Sequence, residues 1–404
     1  MFTLPENLVS RPRYIEKLVP FIGKTLIKVI TGQRRVGKSY LLYQLIAWIQ
    51  ESYPDAAIIY INKEDLSFAD LDSAQKLHDY IMGKKADSGK TYVFIDEIQD
   101  IEGFPKALRS LLLHEDIDLY CTGSNANMLS ADIAGTLSGR YLEIEVYSLS
   151  YPEFLSFHHL DDRPESLEQF LKYGGLPYLK HLELKDEIVF EYLKNVYSTI
   201  VFRDIINRYA VRNTPFLEQL VVFLAGNIGS LFSAKKISDF LKSQKINIAP
   251  NQVQIYIGHL VSAFIIHQVS RYDIQGKRIF DTGAKYYFEN LGIRNSLWGY
   301  RLEDRGKIME NAVYSHLLYM GYRVTVGNLG DKEIDFIAEK NGEKLYLQVA
   351  LTLNEEKTLE REFGNLMAVP DHFPKMVITM DAFSGTSYGG IKATDLRSFL
   401  TTEW

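Results

Sequence analysis

The chain has 404 residues, too many for one compact core, and this length predicts two to four domains. Its formal net charge of −6 excludes a protein that coats nucleic acid indiscriminately, although a local basic patch is compatible with it. A single cysteine, Cys121, excludes disulfide staples, and the lack of 18 consecutive apolar residues or an apolar leader predicts a cytoplasmic protein without a membrane span.

The first motif is a glycine-rich loop, GQRRVGKS, between a predicted strand at residues 26–30 and a predicted helix at residues 40–50. Residues 32–39 fit the P-loop pattern G-x-x-x-x-G-K-[ST], in which Lys38 would reach the β- and γ-phosphates of ATP and Ser39 would ligate Mg²⁺. A glycine-rich turn that holds nothing is the alternative, which the flanking strand and helix disfavour. The predicted ATP contacts are Gly32, Gln33, Arg34, Arg35, Val36, Gly37, Lys38, Ser39 and Tyr40.

The second motif is a pair of acids that follows the β-rich run TYVFI at residues 91–95. A continuous apolar run of this kind predicts a central parallel strand, and its carboxyl end is where open α/β sheets bind ligands. We predict that Asp96 serves the metal together with Ser39, and that Glu97 is the base that orients the attacking water. Acids that merely terminate a strand are the alternative, but their order after the P-loop favours hydrolysis.

Three further polar residues adjoin predicted strands. The run IDLYCTGSN ends in Ser124 and Asn125, which would lie beside the γ-phosphate or cap a helix in the following segment, MLSADIAG. Arg140 stands directly before an alternating strand, where it would act on a nucleotide or pair with Glu143 or Glu145. Both alternatives stay open for each position.

These motifs together resemble a known family. GQRRVGKS, DEIQD, TGSN, SLSYPEFL and KYGGLPYL look like the prokaryotic AAA+-type ATPases related to the archaeal ATPase and STAND clades. The resemblance implies ATP binding and hydrolysis in a homo-oligomer, without an assigned substrate. It also implies that Asn125 senses the γ-phosphate, and that Arg140 is an arginine finger for the neighbouring subunit, an element worth roughly 10³–10⁵ in rate elsewhere.

A mostly helical region follows the predicted P-loop core of residues 1–150. Residues 151–212 resemble the helical lid of such ATPases, which can contribute a second arginine to the nucleotide site. The candidates are Arg203, Arg208 and Arg212. Arg203 also fits a structural ion pair with the adjacent Asp204.

Residues 213–300 contain three helical segments and then a β-rich piece with a predicted turn at Gly276, the order of a winged helix-turn-helix. Ser233 is the predicted cap of the second helix. Outward positions of the third helix hold no Lys or Arg, whereas its neighbours carry basic residues that would meet phosphates. DNA is therefore a candidate partner, and a protein-packing module is the alternative. The basic residues are Lys235, Lys236, Lys242, Lys245, Arg271, Lys277 and Arg278.

Residues 301–404 carry an amphipathic helix, a strand and a hairpin with an Asn-Gly turn. This order resembles the PD-(D/E)XK nuclease fold, whose helix Glu, strand Asp and E/Q-x-K motif gather Mg²⁺. Glu310, Asp335 and Gln348 match three of those positions. Ala350 stands where the lysine is expected, so we predict a nuclease-like domain that does not cut.

The whole sequence predicts an α/β protein with a P-loop parallel-sheet ATPase domain, a helical lid, a winged helix and an α/β nuclease-like C-terminal domain. We expect an ATP hydrolase that couples its nucleotide state to oligomer conformation and to binding of DNA or an unknown protein partner. Two alternatives stay open: a slow nucleotide-gated switch similar to STAND proteins, and an ATP-controlled nuclease in defence or repair.

Overall fold

The computed structural model describes residues 4–5, 8–129, 135, 137, 139–353, 355–380 and 387–402. The chain divides into two compact units, the first comprising Met1–Tyr147 with Ser262–Phe264 and the second comprising Ser148–Val261 with Ile265–Trp404. Residues 130–134, where a capped helix was an alternative, lie outside the described residues. In the described part of the chain, no helix is both long enough and apolar enough to span a membrane.

The first unit contains a five-stranded sheet in which all four strand pairings are parallel. Its strands are β1 Ile27–Thr31, β2 Ala57–Asn62, β3 Thr91–Asp96, β4 Ile117–Gly123 and β5 Tyr141–Glu145. The order is β2-β3-β4-β1-β5, so the strand before the P-loop lies between β4 and β5. Every residue of β1, β3 and β4 is buried, as in parallel sheets covered on both faces. The predicted parallel α/β core is confirmed.

The described part of the first unit contains four α-helices besides this sheet. They are α1 Pro12–Leu18, α2 Lys38–Ser52, α3 Ala74–Lys84 and α4 Phe104–Leu111. The predicted helix at residues 40–50 lies within α2, and its apolar residues at helical spacing are buried. Apolar side chains of α3 and α4 join those of the strands in one core cluster. This core fixes the carboxyl ends of β1, β3 and β4 as one rigid edge.

The second unit begins with helices, as predicted for residues 151–212. The helices of this unit are α5 Tyr151–His158, α6 Pro164–Tyr173, α7 Asp186–Thr199, a π-helix Ile200–Asn207, α8 Thr214–Gly226, α9 Ala234–Ser243, α10 Pro250–Ser262, α11 Leu291–Trp298, α12 Arg305–Tyr319, α13 Glu356–Met367 and α14 Leu396–Thr401. The SLSYPEFL motif forms a capping box, in which the Ser150 hydroxyl accepts from Glu153 N and the Glu153 carboxylate accepts from Ser150 N. The Ser and Glu of this motif therefore stabilise the amino end of α5.

Short 3₁₀ helices connect several of these elements. They are Val19–Phe21, Leu66–Phe68, Ile98–Asp100, Ala126–Leu129, Pro177–His181 and Leu302–Asp304.

Three helices and a hairpin follow one another as the sequence predicts. The helices are α8, α9 and α10, and Ser233 caps α9 by accepting a hydrogen bond from Lys236 N at 3.2 Å. The hairpin strands are β6 Ile266–Asp273 and β7 Arg278–Phe288, and the turn between them contains Gly276. The positive φ in this turn belongs to Lys277.

An eight-stranded sheet forms the rest of the second unit. Its remaining strands are β8 Arg323–Leu329, β9 Lys332–Lys340, β10 Glu343–Ala350, β11 Lys375–Thr379, β12 Ser387–Tyr388 and β13 Ile391–Asp395. The order is β12-β13-β11-β10-β9-β8-β6-β7. The predicted Asn-Gly turn between β9 and β10 is confirmed, with positive φ at both Asn341 and Gly342. Because β6 pairs with β8, one sheet runs across the predicted boundary at residue 300, and the division of this unit into separate domains stays a prediction.

Candidate functional site

The P-loop lies between the carboxyl end of β1 and the amino end of α2, where backbone N–H groups of a helix N-terminus attract anions. Gly32 has φ +140°, and a Cβ there would lie 2.2 Å from the carbonyl oxygen of Val146, so only glycine fits. Gly37 has φ +97° in the left-handed region, directly before α2 begins at Lys38. The two glycines of the motif are thus required by the path of the loop.

The Lys38 side chain crosses its own loop. Its Nζ donates to the carbonyl oxygens of Gly32 at 2.9 Å and Gln33 at 3.0 Å, and the residue is only 4% exposed. The ammonium is therefore held against the loop by two of its carbonyl groups, and its contact with the β- and γ-phosphates stays a prediction.

Arg11 supports the loop from inside the first unit, a role that sequence reasoning missed. Its Nη1 donates to the carbonyl oxygen of Val36 at 3.0 Å, and its Nη2 donates to that of Tyr147 at 3.0 Å. The guanidinium also lies over the Tyr14 ring, 4.6 Å from the centroid. The sequence signal is an arginine directly before a short helix and three residues before the buried Tyr14, a pattern too common to interpret.

Asp96 is the last residue of β3 and lies beside the P-loop hydroxyl. Its carboxylate accepts hydrogen bonds from Ser39, from Thr122 and, at 3.3 Å, from the Tyr60 hydroxyl. Burial raises the pKa of Asp96 above its ordinary value, against the hydrogen bonds from Ser39 and Thr122. The structure thus brings Ser39 and Asp96 together as predicted for a metal pair. Thr122 and Tyr60 were not predicted.

Glu97 follows at once and has φ +55°, a left-handed conformation that is uncommon for a non-glycine residue and clusters at functional sites. Its carboxylate accepts from Ser124 Oγ at 3.2 Å and from Gln99, and it lies 3.9 Å from Arg34 Nη2. Burial works to raise the pKa of Glu97, but the charges of Lys38 and Arg34 outweigh it and hold the pKa below its ordinary value. A buried carboxylate is therefore kept ionised.

The other predicted loop contacts differ in orientation. Arg34 is 6% exposed and pairs with Glu64 at 3.1 Å, whereas Arg35 is exposed with φ +73°. Gln33 Nε2 donates to the carbonyl oxygen of Phe264 at 2.7 Å. The Val36 side chain is fully buried, and Tyr40 is 48% exposed on the first turn of α2. For Gln33 and Val36, only main-chain groups are left to face a phosphate.

Asn125 is fully buried at the end of the segment after β4, and its carbonyl oxygen accepts from Met128 N at 3.1 Å. This bond opens a 3₁₀ turn, and the role of the Asn125 side chain toward a γ-phosphate stays a prediction.

Arg140 lies at the amino ends of the sheet strands, whereas the P-loop lies at their carboxyl ends. It precedes β5, which runs parallel to β1 with Tyr141 opposite Ile27, whereas Gly32 follows the carboxyl end of β1. The length of a five-residue strand, about 16 Å, separates the two positions, so Arg140 cannot reach the P-loop of its own chain. In the described part of the chain, neither Glu143 nor Glu145 forms an ion pair with it.

A cavity of about 710 Å³ adjoins Arg140. Its lining combines the basic side chains of Lys106, Arg109 and Arg140 with Ser110 and an apolar floor that includes Leu112. Among the described residues, none of these three cations has a carboxylate partner. The cavity is therefore an open, positively charged surface.

The three predicted nuclease-like residues lie near one another in the second unit. Glu310 Oε1 and Asp335 Oδ1 both face the same ammonium, Lys285 Nζ, at 2.9 Å and 3.4 Å. Glu333 Oε1 completes this carboxylate cluster at 2.9 Å from Nζ. Gln348 points elsewhere, because its Oε1 accepts from Asp335 N at 2.7 Å and its Nε2 donates to Glu362 at 2.6 Å.

The charges of this carboxylate cluster perturb one another. Burial raises the pKa of Glu310 to about 7, despite the adjacent Lys285. Burial by itself would lower the pKa of Lys285, but the carboxylates of Glu310, Asp335 and Glu333 outweigh it and hold the pKa above its ordinary value. The carboxylates therefore favour the charged form of Lys285. No motif marks it in the sequence.

A P-loop on a parallel sheet, with an Asp-Glu pair at the carboxyl end of β3, defines a P-loop nucleotide-binding protein. Residues 24–155 match the family model described as an AAA domain, and residues 164–304 match one described as a domain of unknown function. The first unit therefore holds an AAA+ P-loop ATPase domain.

The chain is also similar to complete proteins. It is 36% identical to an uncharacterized protein of Haemophilus influenzae over 397 residues, which cover 96% of this chain and 98% of that protein. It is 28% identical to an uncharacterized protein of Methanocaldococcus jannaschii over 368 residues, 86% of this chain and 78% of that protein. The chain belongs to the same family as the Haemophilus influenzae protein.

Solved structures resemble it more distantly. AMPPCP-bound DnaA from Aquifex aeolicus is 16% identical, with a TM-score of 0.34 over 64% of this chain and 91% of that chain. PCH-2 from C. elegans is 14% identical, with a TM-score of 0.30 over 50% of this chain and 65% of that chain. Both TM-scores are too low to establish a shared fold for the whole chain.

Proposed function

We propose that the AAA domain hydrolyses ATP, and that its nucleotide state controls the conformation of a homo-oligomer and the binding of DNA or a protein partner. The observation that carries the proposal is that the Glu97 carboxylate is both buried and ionised. This carboxylate is 7% exposed, is held ionised by Lys38 and Arg34, and directly follows the Asp96 that bonds Ser39. A base in this position orients the attacking water, whereas a protein that only binds nucleotide has no need of it.

The donor set at the P-loop fits Mg²⁺. Ser39 offers a hydroxyl and Asp96 a carboxylate, the hard oxygen ligands that Mg²⁺ prefers beside phosphate oxygens and water. When bound, Mg²⁺ would neutralise charge on the phosphates of ATP. Lys38 would bind the β- and γ-phosphates, and Ser124 would hold Glu97 in place for proton transfer.

Arg140 supports an active site shared between subunits. It is exposed and lies at the sheet edge away from its own P-loop, so its action on nucleotide requires a second copy of the chain. Lys106 and Arg109 line the same cavity and would add positive charge facing the neighbour's phosphates. The oligomer size is not set by these residues.

DNA is the proposed macromolecular ligand of the winged-helix-like region. Its basic residues Lys235, Lys236, Lys242, Lys245 and Lys277 are all exposed, which suits contacts to phosphates. Arg271 is less suited, because its Nη2 already donates to Asn328. The Arg278 side chain lies outside the described residues. Contacts of this kind would make DNA affinity fall with salt concentration.

For the C-terminal region we propose a nuclease-like fold that does not cut. The helix α12, the hairpin β9–β10 and the approach of Glu310 and Asp335 to one point support the fold. Two residues support the lack of cleavage, because neither offers a charge to the site. Ala350 on β10 has no charged group, and the neutral amide of Gln348 is already hydrogen-bonded to Asp335 N and Glu362.

Steady-state ATP turnover by the full chain, with and without DNA, tests the proposal. We expect Mg²⁺-dependent turnover on the order of 1 s⁻¹ or faster, changed by DNA. Stoichiometric ATP binding with turnover slower by orders of magnitude under both conditions would instead support the nucleotide-gated switch.

A further inference from the structure

The carboxylate cluster around Lys285 has the ligand types of a divalent-cation site but already contains a cation. In the described part of the chain, no group of three or more acid, histidine or cysteine side chains is arranged to hold a metal ion. Three carboxylates from two elements, Glu310 on α12 and Glu333 and Asp335 on β9, converge on one point. Carboxylate oxygens are the ligands that Mg²⁺ and Mn²⁺ take in proteins. The point of convergence is occupied by Lys285 Nζ, which arrives from β7.

The oxygen atoms of the cluster are also used by other donors of the chain. Asp335 Oδ2 accepts from Val349 N at 2.9 Å, and Glu310 Oε1 accepts from the Tyr287 hydroxyl at 2.6 Å. A Cβ at Gly229 would lie 2.9 Å from Glu310 Oε2, so the backbone of residue 229 closes that side. Lys285 itself is 4% exposed along its side chain. Around Glu310 and Lys285 the cluster is thus closed and hydrogen-bonded, whereas the Glu333 side chain is 41% exposed.

We propose that Lys285 is a built-in cation that occupies the divalent-metal position of the carboxylate cluster, so that this part of the protein folds and acts without a metal. Metal-to-carboxylate distances are about 2.0–2.6 Å, and an ion at that distance from all three carboxylates would overlap the ammonium. The lysine and the metal therefore exclude each other. The inference goes beyond the ATPase proposal and does not depend on it.

The position of Lys285 distinguishes a lysine that stabilises a phosphate from one that is a counter-ion of carboxylates. A lysine that stabilises a scissile phosphate lies beside a metal and leaves the carboxylates free to ligate it. Lys285 instead contacts all three carboxylates, including the two that match the nuclease pattern. Its chemistry is that of a counter-ion, and its removal should uncover the metal site.

The test is Mn²⁺ binding to the full chain without nucleotide, measured by electron paramagnetic resonance of free Mn²⁺. We expect one Mn²⁺ per chain in Lys285→Met, with an affinity at least about tenfold higher than that of any binding at the carboxylate cluster of the parent protein, because ligand charge tunes such sites. Lys277→Met, which removes an exposed lysine from the same unit, should behave as the parent. Lys285→Met combined with Asp335→Asn should lose the new site.

Two results would overturn the proposal. One is a folded Lys285→Met protein, checked by circular dichroism, that binds no Mn²⁺. The other is a parent protein that binds one Mn²⁺ per chain and loses it on Asp335→Asn, since metal and lysine would then coexist. If Lys285→Met does not fold, the melting temperature of the parent protein provides the test. We expect the same melting temperature in EDTA and in Mn²⁺. An increase with Mn²⁺ that Asp335→Asn abolishes would refute the proposal.

Discussion

Two buried lysines that lie near carboxylates, Lys38 in the first unit and Lys285 in the second, have opposite consequences. In the first unit, Lys38 donates to two carbonyl oxygens of its own loop, and a hydroxyl bonds the nearby Asp96. In the second unit, Lys285 contacts Glu310 and two further carboxylates directly. The first arrangement fits the proposed binding of phosphates and a metal, whereas in the second arrangement the carboxylates compensate the charge of the lysine. The groups that an ammonium contacts, rather than its presence, decide which chemistry a site supports.

The largest effect is expected for Lys38→Ala, which tests whether the first lysine serves a ligand. Removing the charge that faces the β- and γ-phosphates should abolish nucleotide binding or reduce turnover by about 10²-fold or more. Phosphate release and binding of a fluorescent ATP analogue measure the two effects. Lys76→Ala, an exposed lysine of α3, is the control and should leave both unchanged. Unchanged turnover in Lys38→Ala would contradict the ATPase proposal.

Arg140→Ala tests whether the site of the first unit needs a second chain. We expect unchanged affinity for ATP and a loss of turnover of roughly 10³-fold, as for other arginine fingers. Mixing Arg140→Ala with Lys38→Ala should restore part of the activity, because one interface then combines an intact loop with an intact arginine. Full activity in a protein shown by light scattering to be monomeric would rule out the shared site.

Glu97→Gln separates the metal ligand from the base. The amide keeps the size of the side chain but cannot accept a proton, so ATP should stay bound while turnover falls by about 10²-fold. Glu64→Gln is a matched control, because Glu64 is the half-exposed partner of Arg34 and should matter little. Phosphate release at the parental rate in Glu97→Gln would show that another group is the base.

Arg11→Ala tests whether the P-loop is supported by the contacts behind it. Loss of the hydrogen bonds to the Val36 and Tyr147 carbonyls should weaken ATP binding by about tenfold, since each bond of a charged donor contributes about 1.5–3 kcal/mol and part of this stabilises the loop. Arg11→Lys should recover part of the affinity. A variant with parental ATP affinity but a lower melting temperature would assign Arg11 to folding alone.

The smallest effect is expected in the second unit, where the parent protein should not nick supercoiled plasmid in Mg²⁺ or Mn²⁺. Restoring the motif with Gln348→Glu and Ala350→Lys should add little activity while Lys285 contacts the carboxylates. Metal-dependent nicking by the parent protein, lost on Asp335→Ala, would show that the carboxylate cluster binds a metal, as we propose for the P-loop site.

Much of the first unit could be predicted because its signals are local. The P-loop spacing and the strand that ends at Asp96 both lie within short segments, and parallel strands bring their carboxyl ends to one edge. The contacts of Arg11 with the loop could not be predicted, since they join residues 25 and 136 positions apart. No periodicity encodes such a pair.

For the second unit, the sequence by itself determined the helices, the β6–β7 hairpin and the Asn-Gly turn, because hydrophobic period and turn residues act over a few positions. It also indicated Glu310 and Asp335 as partners. Only the tertiary structure decided what lies between them. Lys285 is 25 and 50 residues away from these two acids and reaches them because β6 joins the hairpin to β8 in one sheet. Burial then makes pairing of that charge obligatory, since an unpaired ammonium in the interior is too costly to persist.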